Sequence, residues 1–461
     1  MSMPETTVPA RSLSQTRLLS VTERDESDRV KLTPSVRSPK GVSPWALYGA
    51  WRRWGLLAIL FLVTTSNYFD FYILSVVLEP IKHEFHVSDT MLGFLSGLCF
   101  AVVYAFAGLP IARWADRGNR RTIITLALTG WSVMTAVCGL AHSFWQLAFA
   151  RFGLGIVEPG ALPPAQSLIA DYFPPDRRAT ASAILTAGSA AGYLMGIALG
   201  GYIAATHGWR AAFFVAGGLG LVLAVVVRLA LAEPRCQLGF PGAVSPIESM
   251  HDAFSQLRRK PTFLYALIGT SVYTVFAFGL NIFVPSLMIR TLHATLKEIS
   301  LTWGFAISAA ALIGAVAGGQ LADRLGKRDI RWYAWLPGIA CAAAAPLYWM
   351  ALAARQLWSF IAMDFLAETV VTVGMSLLFV AMHAVCGNRR RTTAIALAQL
   401  AFTLIGAGLG PLIAGALSDA YSGAHGDRSL QYSLNTMVGF LIPAAVAFYW
   451  AGRSILQDVE D

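Results

Sequence analysis

Charge is scarce in this sequence. Asp, Glu, Lys and Arg together make up 13% of the 461 residues, whereas hydrophobic residues make up 56%. A soluble domain carries about 25% charged residues, so an ordinary soluble fold is excluded. The mean hydropathy is +0.57, and apolar runs of the length needed to cross a bilayer recur along the chain. The sequence therefore predicts a polytopic membrane protein.

Patterns that carry enzyme chemistry are also missing. The cysteines lie in or beside apolar runs without the spacing of metal ligands; they are Cys99, Cys138, Cys236, Cys341 and Cys386. No phosphate-binding glycine loop or nucleophile elbow occurs, which removes support for an ATP-driven pump or a soluble-type hydrolase. We therefore expect no enzyme activity, no metal and no cofactor.

The formal net charge of +9 is explained by membrane topology. The Lys and Arg residues concentrate in loops on the side of the N-terminus. The loops on the other side hold only Lys82, Arg210, Arg290, Lys297, Arg355 and Arg428. Because cytoplasmic loops carry the excess of Lys and Arg, we expect both termini in the cytoplasm and no nucleic-acid partner.

Charged or Pro- and Gly-rich punctuation divides the apolar runs into twelve predicted spans. Their approximate bounds are 54–78, 91–114, 122–140, 144–172, 179–205, 211–232, 262–289, 299–321, 333–352, 357–386, 392–417 and 432–450. The predicted domains are a disordered basic cytoplasmic tail (1–53), an N-terminal six-helix bundle (54–232), a cytoplasmic linker (233–261), a C-terminal six-helix bundle (262–452) and a short cytoplasmic tail (453–461).

A short charged motif occurs twice between apolar runs, as ADRGNRR at 115–121 and ADRLGKR at 322–328. Each copy places an acid before several bases, which is typical of a tight helix-to-helix turn at a membrane face. One such loop would only satisfy the positive-inside rule. Two in register indicate an internal repeat, as in secondary transporters. We predict a cytoplasmic gate at Gly108, Asp116, Arg117, Arg120, Arg121, Asp323, Arg324 and Lys327.

A second pair of similar stretches supports the repeat: PDRRATA at 175–181 and NRRRTTA at 388–394. Each is followed by a helix rich in small residues. Glycines four residues apart fall on one helix face and allow close approach of a neighbouring helix, either as plain packing or as a sliding surface between the halves. We predict such helix-packing positions at Gly188, Gly192, Gly196, Gly200, Gly406 and Gly410.

With these motifs the chain resembles the major facilitator superfamily over nearly all of 54–450, and the ADR loops resemble its signature. The N-terminal half is similar to spinster-like transporters. The segments behind this are NYFD (67–70), LEPIKHEF (78–85), SDTMLGFLSG (88–97), GLPIARWADR (108–117), ARFGLGIVEPG (150–160) and SLIADYFPPDRR (167–178). One position differs, because Phe71 follows Asp70 where the family commonly has Arg.

The resemblance implies an all-α membrane protein with twelve transmembrane helices in two pseudo-symmetric six-helix bundles. It also implies a central cavity and rocking between inward-open and outward-open states.

Ionisable side chains at membrane depth are rare and are functional candidates by default. We identify Asp70, Arg151 and Glu158 in the first half, and Asp364 and Glu368, one turn apart, in the second. Helical rise places Asp70 and Arg151 at similar depths, so we expect them to pair. Glu158 lies near the midplane, where burial disfavours the charged form of an unpaired acid.

Each of these groups also has an alternative role that is purely structural. Asp70 and Arg151 would form a static ion pair, and Glu158 would be a packed or permanently protonated acid. Asp364 would be solvated near the outer headgroups.

We expect a secondary transporter of a small amphipathic or organic-anion solute, working by alternating access and coupled to protons through Glu158. The alternatives are a facilitative uniporter, a spinster-type exporter of lysolipid or sphingolipid and, more distantly, a membrane-embedded enzyme or receptor. The expected partners are the solute, H⁺ and the lipid bilayer. We expect a monomer in the plasma (inner) membrane.

Overall fold

A computed structural model describes residues 44–234, 257–377, 380–385 and 397–458. In this part of the chain the regular structure is helical, without strands. Ten stretches are long and apolar enough to cross a membrane. They correspond to twelve spans, because the fourth span is interrupted and falls outside the ten, while the stretch Leu397–Asp458 holds the last two.

We label the spans α1 to α12. Those of the first half are α1 (Ala50–Phe85), α2 (Asp89–Ser96 and Leu98–Arg117), α3 (Arg120–Gly139), α4 (Phe144–Val157 and Leu162–Tyr172), α5 (Arg178–Leu194, Met195–Gly200 and Gly201–His207) and α6 (Trp209–Ala230). Those of the second half are α7 (Pro261–Leu292), α8 (Leu296–Glu298, Ile299–Trp303 and Gly304–Gly326), α9 (Trp332–Leu352), α10 (Leu357–Met375 and Val380–Val385), α11 (Phe402–Leu409 and Gly410–His425) and α12 (Ser429–Val438 and Leu441–Asp458).

The described connections reverse the chain between successive spans, so the ends of the spans alternate between two faces. We call the face where α1 begins and α12 ends the terminal face, and the other the distal face. Several spans begin with a polar N-cap residue. The side chains of Ser88, Asn119 and Ser143 each accept a hydrogen bond from a backbone N–H of the first turn. Thr295 and Glu298 form a complete capping box at the start of α8.

Two spans extend into segments that the sequence analysis assigned to the tails. α1 begins at Ala50, inside the predicted tail, and α12 continues to Asp458, beyond residue 452. The segment 453–458 contains no Gly or Pro to stop the helix, and Ile455 is fully buried. The polar composition of both segments concealed these helical ends. Residues 1–43, most of the predicted linker and the NRRRTTA stretch lie outside the described residues.

The fourth predicted span is not one continuous helix. Glu158–Gly160 forms a 3₁₀ turn between its two halves. Pro159 lacks a backbone N–H and cannot continue the α-helical hydrogen bonding. Pro163 and Pro164 lie in the first turn of the second segment of α4, which begins at Leu162.

Glycines bring the first helix of each half close to the fifth. A Cβ added to Gly188 or Gly192 of α5 would lie 2.8 Å from the carbonyl oxygen of Phe61 or 2.5 Å from that of Thr65, both in α1. Gly196 and Gly200 face α1 in the same way. In the second half, Gly406 and Gly410 of α11 face Thr274 and Val275 of α7. Side chains at these positions would separate the helices; their use as sliding surfaces stays a prediction.

Candidate transport site and gates

Asp70 is buried in α1 and only half satisfied. Its Oδ2 accepts a hydrogen bond from Thr135 Oγ1 of α3 at 3.1 Å, whereas Oδ1 has no hydrogen-bond partner. Thr135 was not singled out from the sequence. It lies in an apolar run, and nothing in its spacing distinguishes it from a packing residue.

Arg151 does not pair with Asp70, contrary to the sequence prediction. Its guanidinium lies over the ring of Phe100 in α2, with Cζ 5.6 Å from the ring centroid. Within the described residues, none of its three side-chain nitrogens has a hydrogen-bond partner. Counting along helices gave the depths of the two groups but not the direction of the arginine, which is set by its packing against α2.

Glu158 begins the 3₁₀ turn that interrupts α4. Its Oε1 accepts a hydrogen bond from Asn67 Nδ2 of α1 at 2.6 Å, and its Oε2 has no partner. Asn67 stands three residues before Asp70, so both polar side chains of α1 lie on one side of that helix. This i, i+3 spacing within NYFD was the available signal for Asn67, which the sequence analysis missed.

The three ionisable groups of the first half form one buried cluster. Asp70, Arg151 and Glu158 are 2%, 1% and 7% exposed. The charge of Arg151 acts on both acids, and the acids act on each other. Since most buried polar atoms in proteins have a partner, the atoms without a partner make this cluster the candidate site of the first half. We call it the polar cluster.

The two acids of α10 are more completely satisfied. Trp303 Nε1 of α8 donates to Asp364 Oδ2 at 2.6 Å. Tyr348 Oη of α9 donates to Glu368 Oε2 at 2.8 Å, and Thr372 Oγ1 donates to Oε1 at 3.2 Å. Asp364 is 3% exposed, so the alternative of a solvated position near the headgroups is wrong. These acids have anchored geometries, unlike the polar cluster.

Aromatic side chains line the boundary between the two halves. Phe71, at the position where the family commonly has Arg, packs edge-to-face against Phe278 of α7, with centroids 6.1 Å apart. The Tyr72 and Tyr193 rings are 4.4 Å apart, and Tyr193 Oη donates to Asn281 Oδ1 at 3.4 Å. This boundary offers apolar rings with a few polar atoms, which suits an amphipathic molecule.

Arg120, from the first ADR motif, is fully buried and fully paired at the terminal face. Its Nη2 lies 2.5 Å from Glu233 Oε1 and 2.6 Å from Asp171 Oδ2, and its Nη1 donates to Ser167 Oγ at 2.9 Å. Arg120 therefore ties α3 to α4 and to the segment after α6. This network joins parts of the first half.

The other predicted gate residues do not form a network like that of Arg120 in the described residues. The backbone of Asp116 and Arg117 continues α2, but their side chains lie outside the described residues. A Cβ on Gly108 would lie 3.8 Å from Pro159 Cβ. In the part of the chain that the structure covers, these remaining gate residues have no ion pair: Arg121, Asp323, Arg324 and Lys327. The role of Asp116 in a cytoplasmic gate stays a prediction.

An ionic network that sequence reasoning missed joins the halves at the distal face. Arg290 of α7 pairs with Glu79 of α1 through Nη2 at 2.8 Å and with Asp89 of α2 through Nη1 at 2.7 Å. Lys82 Nζ lies 2.6 Å from Asp89 Oδ1. Asp89 thus holds one cation from each half.

Helix α11 completes this network. Asp419 accepts hydrogen bonds from the backbone N–H groups of Asp89 and Thr90 at 3.0 and 2.8 Å. Ser418 Oγ donates to Asp89 Oδ2 at 2.7 Å. We call this set the distal lock; its members are Glu79, Lys82, Asp89, Arg290, Ser418 and Asp419. The sequence signal was an acid at the distal end of three spans, on a face with few bases.

Within the described residues, no group of three or more His, Cys, Asp or Glu side chains is arranged to hold a metal ion. The geometry is thus that of two helical halves that enclose buried charges and are tied together at one face. A family model of the Major Facilitator Superfamily matches residues 60–411. The chain belongs to this superfamily. Superfamily membership and fold are those of transporters, not of enzymes.

Relatives within the superfamily include efflux pumps and spinster proteins. The chain is 31% identical over 403 residues to an MFS-type efflux pump of Mycolicibacterium smegmatis, covering 87% of this chain and 93% of the pump. It is 24% identical to protein spinster homolog 1 of Xenopus tropicalis, covering 82% of this chain and 76% of that protein. The N-terminal spinster resemblance therefore extends to most of the chain.

A solved structure supports the same relationship. It is a bacterial homologue of the human lysosomal transporter Spinster in an inward-facing, unoccupied conformation, which superposes with a TM-score of 0.82 at 30% identity. The match covers 90% of this chain and all of that chain. The prediction of a twelve-helix superfamily fold is confirmed.

Proposed function

We propose that the chain is a proton-coupled secondary transporter of a small amphipathic or organic-anion solute. The observation that carries this proposal is the polar cluster, in which buried charges keep unpaired atoms beside the interruption of α4. A purely structural cluster would have its polar atoms satisfied. Unused hydrogen-bonding capacity at membrane depth supports a site whose occupant changes during transport.

The proposed roles follow from the contacts. Glu158 has one oxygen fixed by Asn67 and one without a partner, so the second oxygen is the proposed proton site. Arg151, whose side-chain nitrogens have no hydrogen-bond partner in the described residues, supplies N–H donors and a positive charge for the solute anion or for the deprotonated acid. Asp70, held by Thr135, keeps the charges of the cluster balanced. Asp364 and Glu368 are proposed as the opposite, anchored wall of the cavity.

The aromatic boundary between the halves supports an amphipathic solute, because rings and isolated polar atoms match such a molecule. Export of a lysolipid or sphingolipid is the second candidate, supported by the similarity to spinster proteins. The bulky Phe71–Phe278 contact favours the smaller solute.

We further propose that the protein is a monomer in the inner membrane with the terminal face in the cytoplasm. The two proposed bundles are α1–α6 and α7–α12, which extends the predicted 54–232 and 262–452 to Ala50 and Asp458. Concentration of Lys and Arg in the terminal-face loops supports this orientation. The distal lock would then close the periplasmic side and leave the protein inward-facing, the state of the bacterial spinster homologue.

Transport into proteoliposomes tests the function. Purified protein would be given a labelled aromatic carboxylate or a labelled lysophospholipid, with a pH gradient of either sign or with none. We expect accumulation of the carboxylate that depends on the gradient and disappears with a protonophore. Equal uptake with and without the gradient would contradict coupling and support a uniporter. Gradient-dependent movement of the lysophospholipid alone would favour the second candidate.

A further inference from the structure

A cavity of about 550 Å³ opens on the outside of the second half, at the terminal-face ends of α7, α9 and α12. It is separate from the polar cluster, which belongs to the first half. We call it the lateral groove. The lining residues that matter for its chemistry are Tyr265, Arg331, Trp335, Tyr449, Trp450 and Arg453.

Two arginines give the lateral groove its charge. Arg453 of α12 is exposed, and its Cζ lies 5.6 Å from the ring centroid of Trp450 and 5.9 Å from that of Tyr449. Within the described part of the chain it has no acidic partner. The rings hold the guanidinium by cation–π contact and leave its N–H donors available for an acceptor.

The opposite wall carries donors that lack an acceptor. Arg331, just before α9, lies over Trp335, with Cζ 5.7 Å from its ring centroid. Its Nε is 3.9 Å from Asp329 Oδ2, too far for a hydrogen bond. The buried Arg331 Nε and Trp335 Nε1 both lack hydrogen-bond partners in the described residues. The groove therefore brings the guanidinium groups of two arginines to one small volume, beside two buried N–H donors that have no acceptor in the described residues.

Apolar surface continues from the lateral groove toward the membrane interior. Tyr265, Tyr449 and Trp450 are exposed at the rim, as expected for rings at headgroup level. Farther along the same helices, Ile268 of α7 and Val446 of α12 are exposed. A molecule with a phosphate in the groove can therefore lay hydrocarbon along α7 and α12.

We propose that the lateral groove is a binding site for the phosphate of an anionic phospholipid in the terminal-face leaflet. Planar guanidinium groups suit phosphate oxygens, and basic pockets between spans recognise lipid headgroups. The adjoining apolar strip distinguishes a lipid from a free phosphate ion. This lipid is a bound component of the transporter, and its site lies outside the path proposed for the solute.

Native mass spectrometry of purified, delipidated protein tests the proposal. The protein would be titrated with phosphatidylglycerol or phosphatidylcholine, and bound lipid counted for three forms. These are the wild type, the double variant Arg331→Gln/Arg453→Gln and the control Arg228→Gln. Arg228 is exposed near the terminal-face end of α6, so the control removes a positive charge from the same face outside the groove.

We expect the wild type and the control to prefer phosphatidylglycerol. The double variant should bind it about 25-fold more weakly, or about fivefold per arginine. Unchanged affinity in the double variant, or an equal loss in the control, would overturn the site. Arg453→Gln alone, at an exposed position, should lose about fivefold while keeping the wild-type unfolding temperature.

A competition arm distinguishes the two sources of phosphate. Inorganic phosphate and soluble glycerophosphoglycerol would be added at millimolar concentration to the protein with bound phosphatidylglycerol. Retention of the lipid supports a site that requires the acyl chains. Displacement by either soluble compound at this concentration would overturn the lipid assignment.

Discussion

Arg120 and Arg151 are both buried in the first half, yet their surroundings are opposite. Arg120 is bonded to Glu233 and Asp171, whereas Arg151 has an aromatic ring and no hydrogen-bond partner among the described residues. Removing one member of a buried ion pair leaves the other charge buried without its partner. Removing a buried charge that makes no hydrogen bond leaves no other group without a hydrogen-bond partner. The two arginines should therefore respond differently to the same substitution.

Arg120→Met should lower stability by about 3–5 kcal/mol, because Glu233 and Asp171 would be left without their cation. Arg151→Met should leave the unfolding temperature unchanged or higher, while transport falls at least about tenfold. Thermal unfolding in detergent and uptake into proteoliposomes measure the two effects. A large loss of stability in Arg151→Met would show that Arg151 is structural, which would contradict its proposed role.

Glu158→Gln imitates the protonated acid and should separate two kinds of transport. Accumulation driven by a pH gradient should be lost, whereas exchange between equal pools of solute should continue because it needs no net proton movement. Glu298→Gln is the control, since Gln can replace Glu in a capping box. Full gradient-driven accumulation by Glu158→Gln would move the proton site to another acid, with Asp70 the next to test.

At the level of single residues, the sequence predicted which ionisable groups fall within the spans. The five ionisable candidates are all in the spans, and Asp70, Arg151 and Asp364 are buried. Their partners could not be predicted, because counting along a helix gives height but not the rotation of one helix against another. For the same reason Trp303, on a different span, was not assigned to Asp364.

Among the helices, α7 links the two halves at the distal face, because Arg290 near its distal end forms ion pairs with two acids of the first half. Arg290→Gln should therefore weaken the distal lock and open that face. Spin labels at His86 of the α1–α2 connection and Ser422 of α11 would report the distance between the two halves at the distal face, measured by pulsed electron paramagnetic resonance. We expect a longer and broader distance distribution in the variant.

Arg210→Gln is the matched control for this measurement. Arg210 pairs with Glu84 at the same face, but both residues belong to the first half, so their ion pair joins no element across the boundary. The label distance should remain that of the wild type. Unaltered distances in Arg290→Gln as well would show that the ionic network is not what holds the face closed.

The two ADR copies should be unequal. Asp116→Asn should slow transport if the acid latches the terminal face, whereas Asp323→Asn should have a smaller effect. The smaller effect expected at Asp323 agrees with its surroundings, since its side chain is exposed and has no ion pair within the described residues. Initial uptake rates at equal amounts of inserted protein test the ranking. Equal damage at both positions would refute it.

The number and order of spans could be predicted because each is a long apolar run between charged loops. The interruption of α4 was also predictable from its prolines. The π turns at Met195–Gly200, Ile299–Trp303 and Phe402–Leu409 could not be predicted. Their residues suit an α-helix equally well, and only packing against neighbouring helices selects the wider turn.

For the whole molecule, alternating access requires the distal face to open in each cycle. Thr90 Oγ1 and Asp419 Oδ2 lie 2.5 Å apart across the two halves. In a variant whose native cysteines are replaced, a disulfide between Thr90→Cys and Asp419→Cys should stop turnover, and a reductant should restore it. Each single-cysteine variant serves as a control for loss of the hydrogen bond. Unimpaired transport by the oxidised protein would exclude opening at this face.

The π turn of α5 makes the number of residues in that helix a fixed property, in addition to the glycines that face α1. Glycines spaced four residues apart rotate by about 40° around an α-helix with each step. A π turn contains one more residue per turn and so compensates for this rotation. The glycines therefore stay against α1, and Gly201 then reaches Ser300 of the other half. Deleting one residue from Met195–Gly200 would rotate everything beyond it by about 100°. The segment should accept small-residue exchanges at positions other than Gly196 and Gly200, where an added Cβ would meet α1, but no insertions or deletions.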